Sequence, residues 1–272
     1  MTAALFEPAG SNRWRPTELA RGPWDPGACH GGPVGALLAR AVEQHDDAPD
    51  GTAWHVARLS VELTRPVPVG AALDVSTVTE RPGRRVSLVS AHLRSGESVV
   101  AHVRALRLRR SDLELPTDTV EPVDPPPGTP EVATRQRILR TGDDAVTFHR
   151  DSCEHRFVDG SWDDLGPVSG WIRLLVPVVD GEPPTPLQRV AAAADFGNGI
   201  SAGVPVERIT FVNPDLTIHL HRLPVGEWIG VRSASFYGIG GRSIGTGMAE
   251  TALYDTLGRI GRSVQSLLVD RR

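Results

Sequence analysis

Two hydrophobic periods run along this chain. Over 33–44, PVGALLARAVEQ places its apolar residues at three- and four-residue intervals, and PLQRVAAAADF does the same over 186–196. That spacing gathers apolar side chains on one face of an α-helix. Elsewhere the period is two. Alternation with β-branched enrichment marks strands near 55–65, 72–81, 85–95 and 98–109, and again near 207–221, 227–237, 242–254 and 260–269. Each set of four strands follows one helix. A helix followed by an antiparallel meander, written twice, predicts an α+β fold in which each sheet wraps its own helix.

The repetition extends to residue identity. LSVELTR at 59–65 matches LTIHLHR at 216–222, Pro68-Val69-Gly70 matches Pro224-Val225-Gly226, and VRALRL at 103–108 parallels VQSLLV at 264–269. Three matches in the same order indicate an internal duplication. Between them, ELPTDTVEPVDPPPGTPEVA is proline-rich and has no hydrophobic period, as expected of a linker over the surface. The predicted organisation is an N-terminal half over 1–113, a linker over 114–140 and a C-terminal half over 141–272.

The 272 residues carry a net charge of −4, with basic residues scattered along the chain, so nothing in the pattern points to a nucleic-acid partner. The start, MTAALFEPAGSNRW, lacks a basic region followed by an apolar stretch, and no apolar run has the length of a membrane span. A cytoplasmic protein without a membrane span is expected. Cys29 and Cys153 stand far apart without CxxC spacing and read as free thiols.

One stretch combines the helical pattern with a misplaced charge. In AAAADFGNGIS (191–201) an alanine-rich helix ends on Asp195 before a glycine-broken exit. The C-terminal end of a helix is where negative charge is least favourable, so Asp195 is a candidate for chemistry as well as for a solvated helix terminus. At the other helix, Gly31 and Gly32 lead into Pro33, expected at the first helical position, and their amides sit where free N–H groups favour developing negative charge.

Other chemistries fail their context. GIGGRSIGTG (238–247) lies between strands and does not open a helix, so it reads as a hairpin and not as a phosphate loop. His219 and His221 share a strand face without a matched third ligand, and no metal is expected. The GxSxG strings at 199–203, after an expected helix, and at 241–245, between expected strands, lack the strand-to-helix context of a nucleophile elbow, and Cys29 and His30, adjacent in the chain, have side chains that diverge. His30 is read as a loop residue that fixes the turn or contacts an anion. Arg84, Arg85, Arg107, Arg109 and Arg110 are expected at exposed strand ends, with no assigned contact.

HGGPVGALLA (30–39), LSVELTRPV (59–67), AADFGNGIS (193–201), NPDLTIHLHR (213–222) and SVQSLLV (263–269), in this order, resemble the bacterial acyl-CoA thioesterase II family and its thioesterase-like relatives. The resemblance implies a double hotdog fold, two tandem helix-plus-meander halves forming a pseudo-dimer. It implies hydrolysis of a fatty or related acyl-CoA to the free acid and CoA, with CoA present as part of the substrate and no metal or organic cofactor. Carried over by motif, the catalytic residues are Asp195, Asn213 and Gln265. Asn213 departs from the pattern, because familiar members have threonine there, and an amide offers no hydroxyl.

In that reading Asp195 fixes or deprotonates a water whose other hydrogen-bonding directions are held by Gln265 and Asn213, or else attacks the thioester directly. Gly32, then Gly31, would donate to the oxyanion, and His30 would contact substrate. An acyl tunnel is expected between the two helices, lined by Val34, Leu37, Leu38, Val190 and Ala194. An apolar strand face left on each pseudo-dimer implies a homodimer or higher homo-oligomer. Two rivals remain: a non-catalytic acyl-CoA-binding protein, kept open by Asn213, and an enoyl-CoA hydratase, disfavoured because no paired Asp and His share one hydratase motif.

Overall fold

The computed structural model describes residues 3–48, 51–136 and 145–272; the last positions of the expected linker, 137–140, and the first of the expected C-terminal half, 141–144, lie outside the described residues. In chain order the strands are β1 (Phe6–Gly10), β2 (Arg13–Pro16), β3 (Trp54–Glu62), β4 (Leu73–Arg81), β5 (Val86–Ser95), β6 (Ser98–Arg109), β7 (Thr134–Gln136), β8 (Cys153–Asp159), β9 (Val168–Leu174), β10 (Ile209–Val212), β11 (Asp215–Leu220), β12 (Trp228–Phe236), β13 (Thr246–Asp255) and β14 (Gly258–Arg271). The helices are α1 (Gly31–Glu43), α2 (Pro186–Ala194) and a single turn, α3 (Gly197–Ile200).

All strands join one antiparallel sheet in the order β1-β2-β4-β5-β6-β3-β11-β14-β13-β12-β9-β8-β7, with β10 pairing to β14 beside β11. The halves meet where β3 pairs with β11, and the partners there are the two copies of the repeat. Leu59 faces Ile218, Val61 faces Leu216, and Ser60 faces Thr217. Leu59 and Leu216 are equivalent in the repeat, as are Val61 and Ile218, so the pairing is its own mirror about Ser60 and Thr217. A duplicated strand pairing with itself in this way generates a pseudo-twofold axis. Leu59, Val61, Leu216 and Ile218 are all buried, so the seam belongs to a continuous core.

Each half is longer than the sequence pattern predicts. A hairpin precedes each helix, β1–β2 in the first half and β8–β9 in the second, and extends the sheet at its two edges. β1 and β2 carry Glu7, Pro8, Arg13 and Arg15, and β8 carries Glu154, His155 and Arg156, so neither hairpin shows the alternation that marks the central strands. The strand expected over 207–221 is two strands, broken at Asn213 and Pro214. Proline has no N–H for the ladder, and the residue before it is conformationally restricted. Pro214 contributes only its carbonyl, which accepts from the Leu63 amide at 2.7 Å.

α1 starts two residues earlier than expected. Gly31 and Gly32 form its first turn, capped by His30, and Pro33 is its third residue, where its missing N–H is again one that no helical carbonyl would have used. α2 is capped by Thr185, begins on Pro186 and ends at Asp195 as its C-cap. The two helices cross at backbone distance: a Cβ on Gly32 would lie 2.6 Å from the carbonyl oxygen of Ala192. Small residues on both facing stripes permit this approach, and the sheet closes over them with Leu37, Leu38, Val190 and Ala194 fully buried.

The proline-rich segment is not a free connector. Trp171 Nε1 donates to the carbonyl of Pro127 at 3.0 Å, and Asp124 accepts from Tyr254 Oη at 2.9 Å and from Arg232 and Arg259. The segment therefore lies against the second half before β7 joins β8. Among the described residues no helix is long and apolar enough to cross a membrane.

Candidate active site

A cavity of about 790 Å³ opens at the N-terminus of α1 and the C-terminus of α2. Trp24, Val34, Val67, Trp162, Phe196 and Phe211 supply much of its apolar wall. Of the residues expected to line an inter-helix tunnel, only Val34 reaches it; Leu37, Leu38, Val190 and Ala194 are sealed in the core because the helices pack too closely to leave space between them. The space lies instead at the helix ends, walled by the 22–29 loop and by segment 196–214.

Asp195 stands at this cavity with 4% of its surface exposed. The exit from α2 into α3 turns its side chain toward β14 and the β10–β11 break. Oδ1 accepts from Asn213 Nδ2 at 2.8 Å and from Gln265 Nε2 at 3.1 Å. Gln265 Nε2 also lies 3.2 Å from the Asp195 carbonyl, and its Oε1 accepts from the Asn198 amide at 3.0 Å. The second N–H of Asn213 is spent on the carbonyl of Asp215 at 3.1 Å, and its Oδ1 accepts from Asn198 Nδ2 at 3.2 Å. Asp195, Asn213 and Gln265, taken from three separate motifs, thus converge on one carboxylate oxygen.

Their arrangement differs from the one expected of them. Asn213 has no amide hydrogen left for a water, and Gln265, 1% exposed, does not reach the cavity wall. Both amides hold the carboxylate. Asn198 fixes which way each amide points, through its backbone N–H for Gln265 and its side chain for Asn213. Asn198 stands in the same AADFGNGIS motif as Asp195, and no hydrophobic period or chemical signature in the sequence marks its role.

Oδ2 faces the other half of the molecule. It lies 2.9 Å from His30 Nδ1, and a Cβ on Gly31 would come within 2.6 Å of it. Only glycine at position 31 lets the first turn of α1 approach the carboxylate. The Gly32 N–H lies 3.0 Å from the same His30 Nδ1, whereas the Gly31 N–H has no acceptor among the described residues. Of the two candidate oxyanion donors, Gly31 is the amide without an acceptor among the described residues, and Gly32 is the one beside His30 Nδ1. The Asp–His pairing that no single motif displays is assembled across the two halves.

The His30 ring packs between Phe148 and Phe196, with centroids 5.1 and 5.0 Å away. Behind them lie two more histidines that the sequence reading did not single out. Burial pushes His149 down to about 3 and His155 down to about 4, so both are neutral; His155 Nε2 donates to the His149 carbonyl at 2.9 Å. Cys29 borders the cavity, and burial pushes its thiol up to about 12, far from the thiolate that a nucleophile requires. Of the arginines expected at exposed strand ends, Arg107 is buried instead, bound to Asp47 and Ser87 and stacked over Trp54. His219 is an exposed residue of β11 opposite Arg58, away from the cavity.

A model of the acyl-CoA thioesterase N-terminal domain matches residues 20–108, and a model of the C-terminal domain matches 117–269. The chain belongs to the acyl-CoA thioesterase family. Solved structures agree on the fold. A putative thioesterase II from Thermobifida fusca aligns at TM-score 0.71 and 19% identity over 100% of this chain and 98% of that one. A putative thioesterase from Novosphingobium aromaticivorans aligns at 0.69 and 19% over 97% and 98%. A hot dog fold protein from Alicyclobacillus acidocaldarius aligns at 0.68 and 16% over 96% and 92%. No curated protein sequence matches the chain. The family's fold is the double hotdog described above, and the chain is a thioester hydrolase.

Proposed function

We propose that the enzyme hydrolyses a fatty or related acyl-CoA to the free acid and CoA by a water attack driven by Asp195, without a metal or organic cofactor. One observation carries this reading: a carboxylate nearly sealed from solvent, at the wall of a largely apolar cavity, with one oxygen saturated by two amide donors and the other 2.9 Å from His30 Nδ1 beside the first turn of α1. The apolar walls suit an acyl chain, and the first turn of α1 offers the Gly31 N–H to a developing oxyanion. Asn213 takes the place of a hydroxyl residue by holding the carboxylate.

The test is thiol release from acyl-CoA esters of graded chain length by the wild type and by Asp195→Asn. General acid–base assistance contributes about 10²–10⁴-fold, so a loss of about a thousandfold is expected for the variant, and the preferred chain length will measure the cavity. Tight acyl-CoA binding without turnover by the wild type would make the chain a binding protein. Equal turnover by both forms would remove Asp195 from the chemistry.

A further inference from the structure

We propose that His30 is the group that takes the proton from the attacking water, with Asp195 as the carboxylate that orients and polarises its ring; this deepens the thioesterase reading and rests on it. Oδ1 of Asp195 is filled by Asn213 and Gln265, so the charge that remains available is at Oδ2, whose polar neighbour is His30 Nδ1 at 2.9 Å. A proton must lie between these two atoms, since a carboxylate oxygen and an imidazole lone pair repel each other at that distance.

Two positions for the histidine hydrogen compete. With Nδ1 unprotonated, it accepts the Gly32 N–H as a helix cap and turns its lone pair on the carboxylate as well. With Nδ1 protonated, it donates to Oδ2 in a charge-assisted bond, roughly twice as strong as the neutral N–H···N bond that is given up. The second arrangement wins, and it has two consequences. Nε2 becomes the lone-pair nitrogen; among the described residues it has no hydrogen-bond partner, and it is not among the atoms sealed from solvent in a residue that lines the cavity. The Gly32 N–H also loses its acceptor, so Gly31 and Gly32 together present two free donors beside the same ring.

The step balances within these groups. Water attacks the thioester carbonyl carbon, a C–O bond forms, and the water proton passes to His30 Nε2 while the carbonyl electrons move to the oxygen facing the glycine amides. When the tetrahedral intermediate collapses, the C–S bond breaks and the Nε2 proton is delivered to the CoA sulfur. Free acid and CoA leave, and His30 is neutral again. The surrounding groups do not compete for this role. His149 and His155 are held neutral by burial and Cys29 is held protonated; Arg21 pairs with Glu18, and Asp25 accepts from the Gly27 amide.

His30→Asn removes the titratable ring, and asparagine, among the best residues at an N-cap, keeps the start of α1 stable. Steady-state kinetics on the preferred acyl-CoA should show kcat at least a hundredfold lower with KM within a few-fold, and loss of the acid limb of kcat/KM. Turnover within threefold of wild type, with the limb unchanged, would leave His30 a cap and overturn the proposal. A readout independent of turnover is the imidazole ¹⁵N spectrum of the whole chain. Nδ1 protonated in the wild type and released in Asp195→Asn supports the pair; Nδ1 unprotonated in the wild type overturns it. If the wild type hydrolyses no acyl-CoA, the thioesterase reading fails on its own, and the ¹⁵N spectrum still decides whether His30 and Asp195 act together.

Discussion

Asn213 looks like the weakest residue of the site in the sequence, and the structure gives it a specific task. An amide has two faces that differ in chemistry, so it must be turned the right way to donate to a carboxylate, whereas a hydroxyl rotates freely. Asn198 supplies the constraint by donating to Asn213 Oδ1 at 3.2 Å, which leaves Nδ2 facing Asp195. Removing the constraint should therefore matter only while an amide stands at 213. Asn198→Ala should lower kcat about tenfold, in line with losing one hydrogen bond of about 1.4 kcal/mol in a charged network. The same change in an Asn213→Thr background should cost threefold or less. Equal losses in the two backgrounds, measured as a double-mutant cycle in kcat, would show that Asn198 acts elsewhere.

At the level of elements, the site depends on how closely α1 approaches α2. Gly32→Ala would place a methyl 2.6 Å from the Ala192 carbonyl, a backbone atom that cannot swing aside. Overpacking of this kind costs about 1–3 kcal/mol, and a urea midpoint lowered by that amount is expected. The π-turn Phe148–Ser152 and β8 add a pH dependence. His149 and His155 are depressed below their unfolded value near 6.5, so the unfolded chain binds protons that the folded chain refuses. Their contribution is whole above that value and is lost as pH falls toward about 4 for His155 and about 3 for His149, by about 1.4 kcal/mol per pH unit for each. Urea unfolding at pH 7 and pH 5 checks this, and His155→Phe should flatten the difference. These elements also show what the chain conceals. The central strands and both helices announce themselves by period because one face of each is core. β1–β2 and β8–β9 are mixed in character at the sheet edges and do not.

For the molecule as a whole, duplication made the fold legible and hid part of the site. Asp195, Asn213 and Gln265 sit in short motifs and can be read in order, but the approach of His30 to Asp195 exists only once one half is folded against the other. The pseudo-twofold also specifies a second location, related to the first through Ser60 and Thr217, and its residues can be found by register. Ser60 pairs with Arg104 and Thr217 with Val264, so Gln265 corresponds to Ala105, and the sequence match of 103–108 to 264–269, which set Gln265 against Arg104, is one residue out of register. The N-cap His30 corresponds to the N-cap Thr185, and the C-cap Asp195 to the C-cap Gln44. Imidazole and strand amide are missing from the second location, and its carboxylate, Glu43, stands one residue before the C-cap and is tied to Thr185 at 2.8 Å and Gln188 at 3.2 Å. Arg40 occupies space between the halves nearby and is bound through two 2.6 Å contacts to Glu182. Each chain should therefore bind one acyl-CoA: calorimetric titration of a non-hydrolysable thioether analogue is expected to give a stoichiometry of one, abolished or weakened by a bulky Val34→Trp change in the cavity wall. A stoichiometry of two would mean that the pseudo-symmetric location still accepts the ligand without the groups that hydrolyse it, and that duplication had separated binding from chemistry within one sheet.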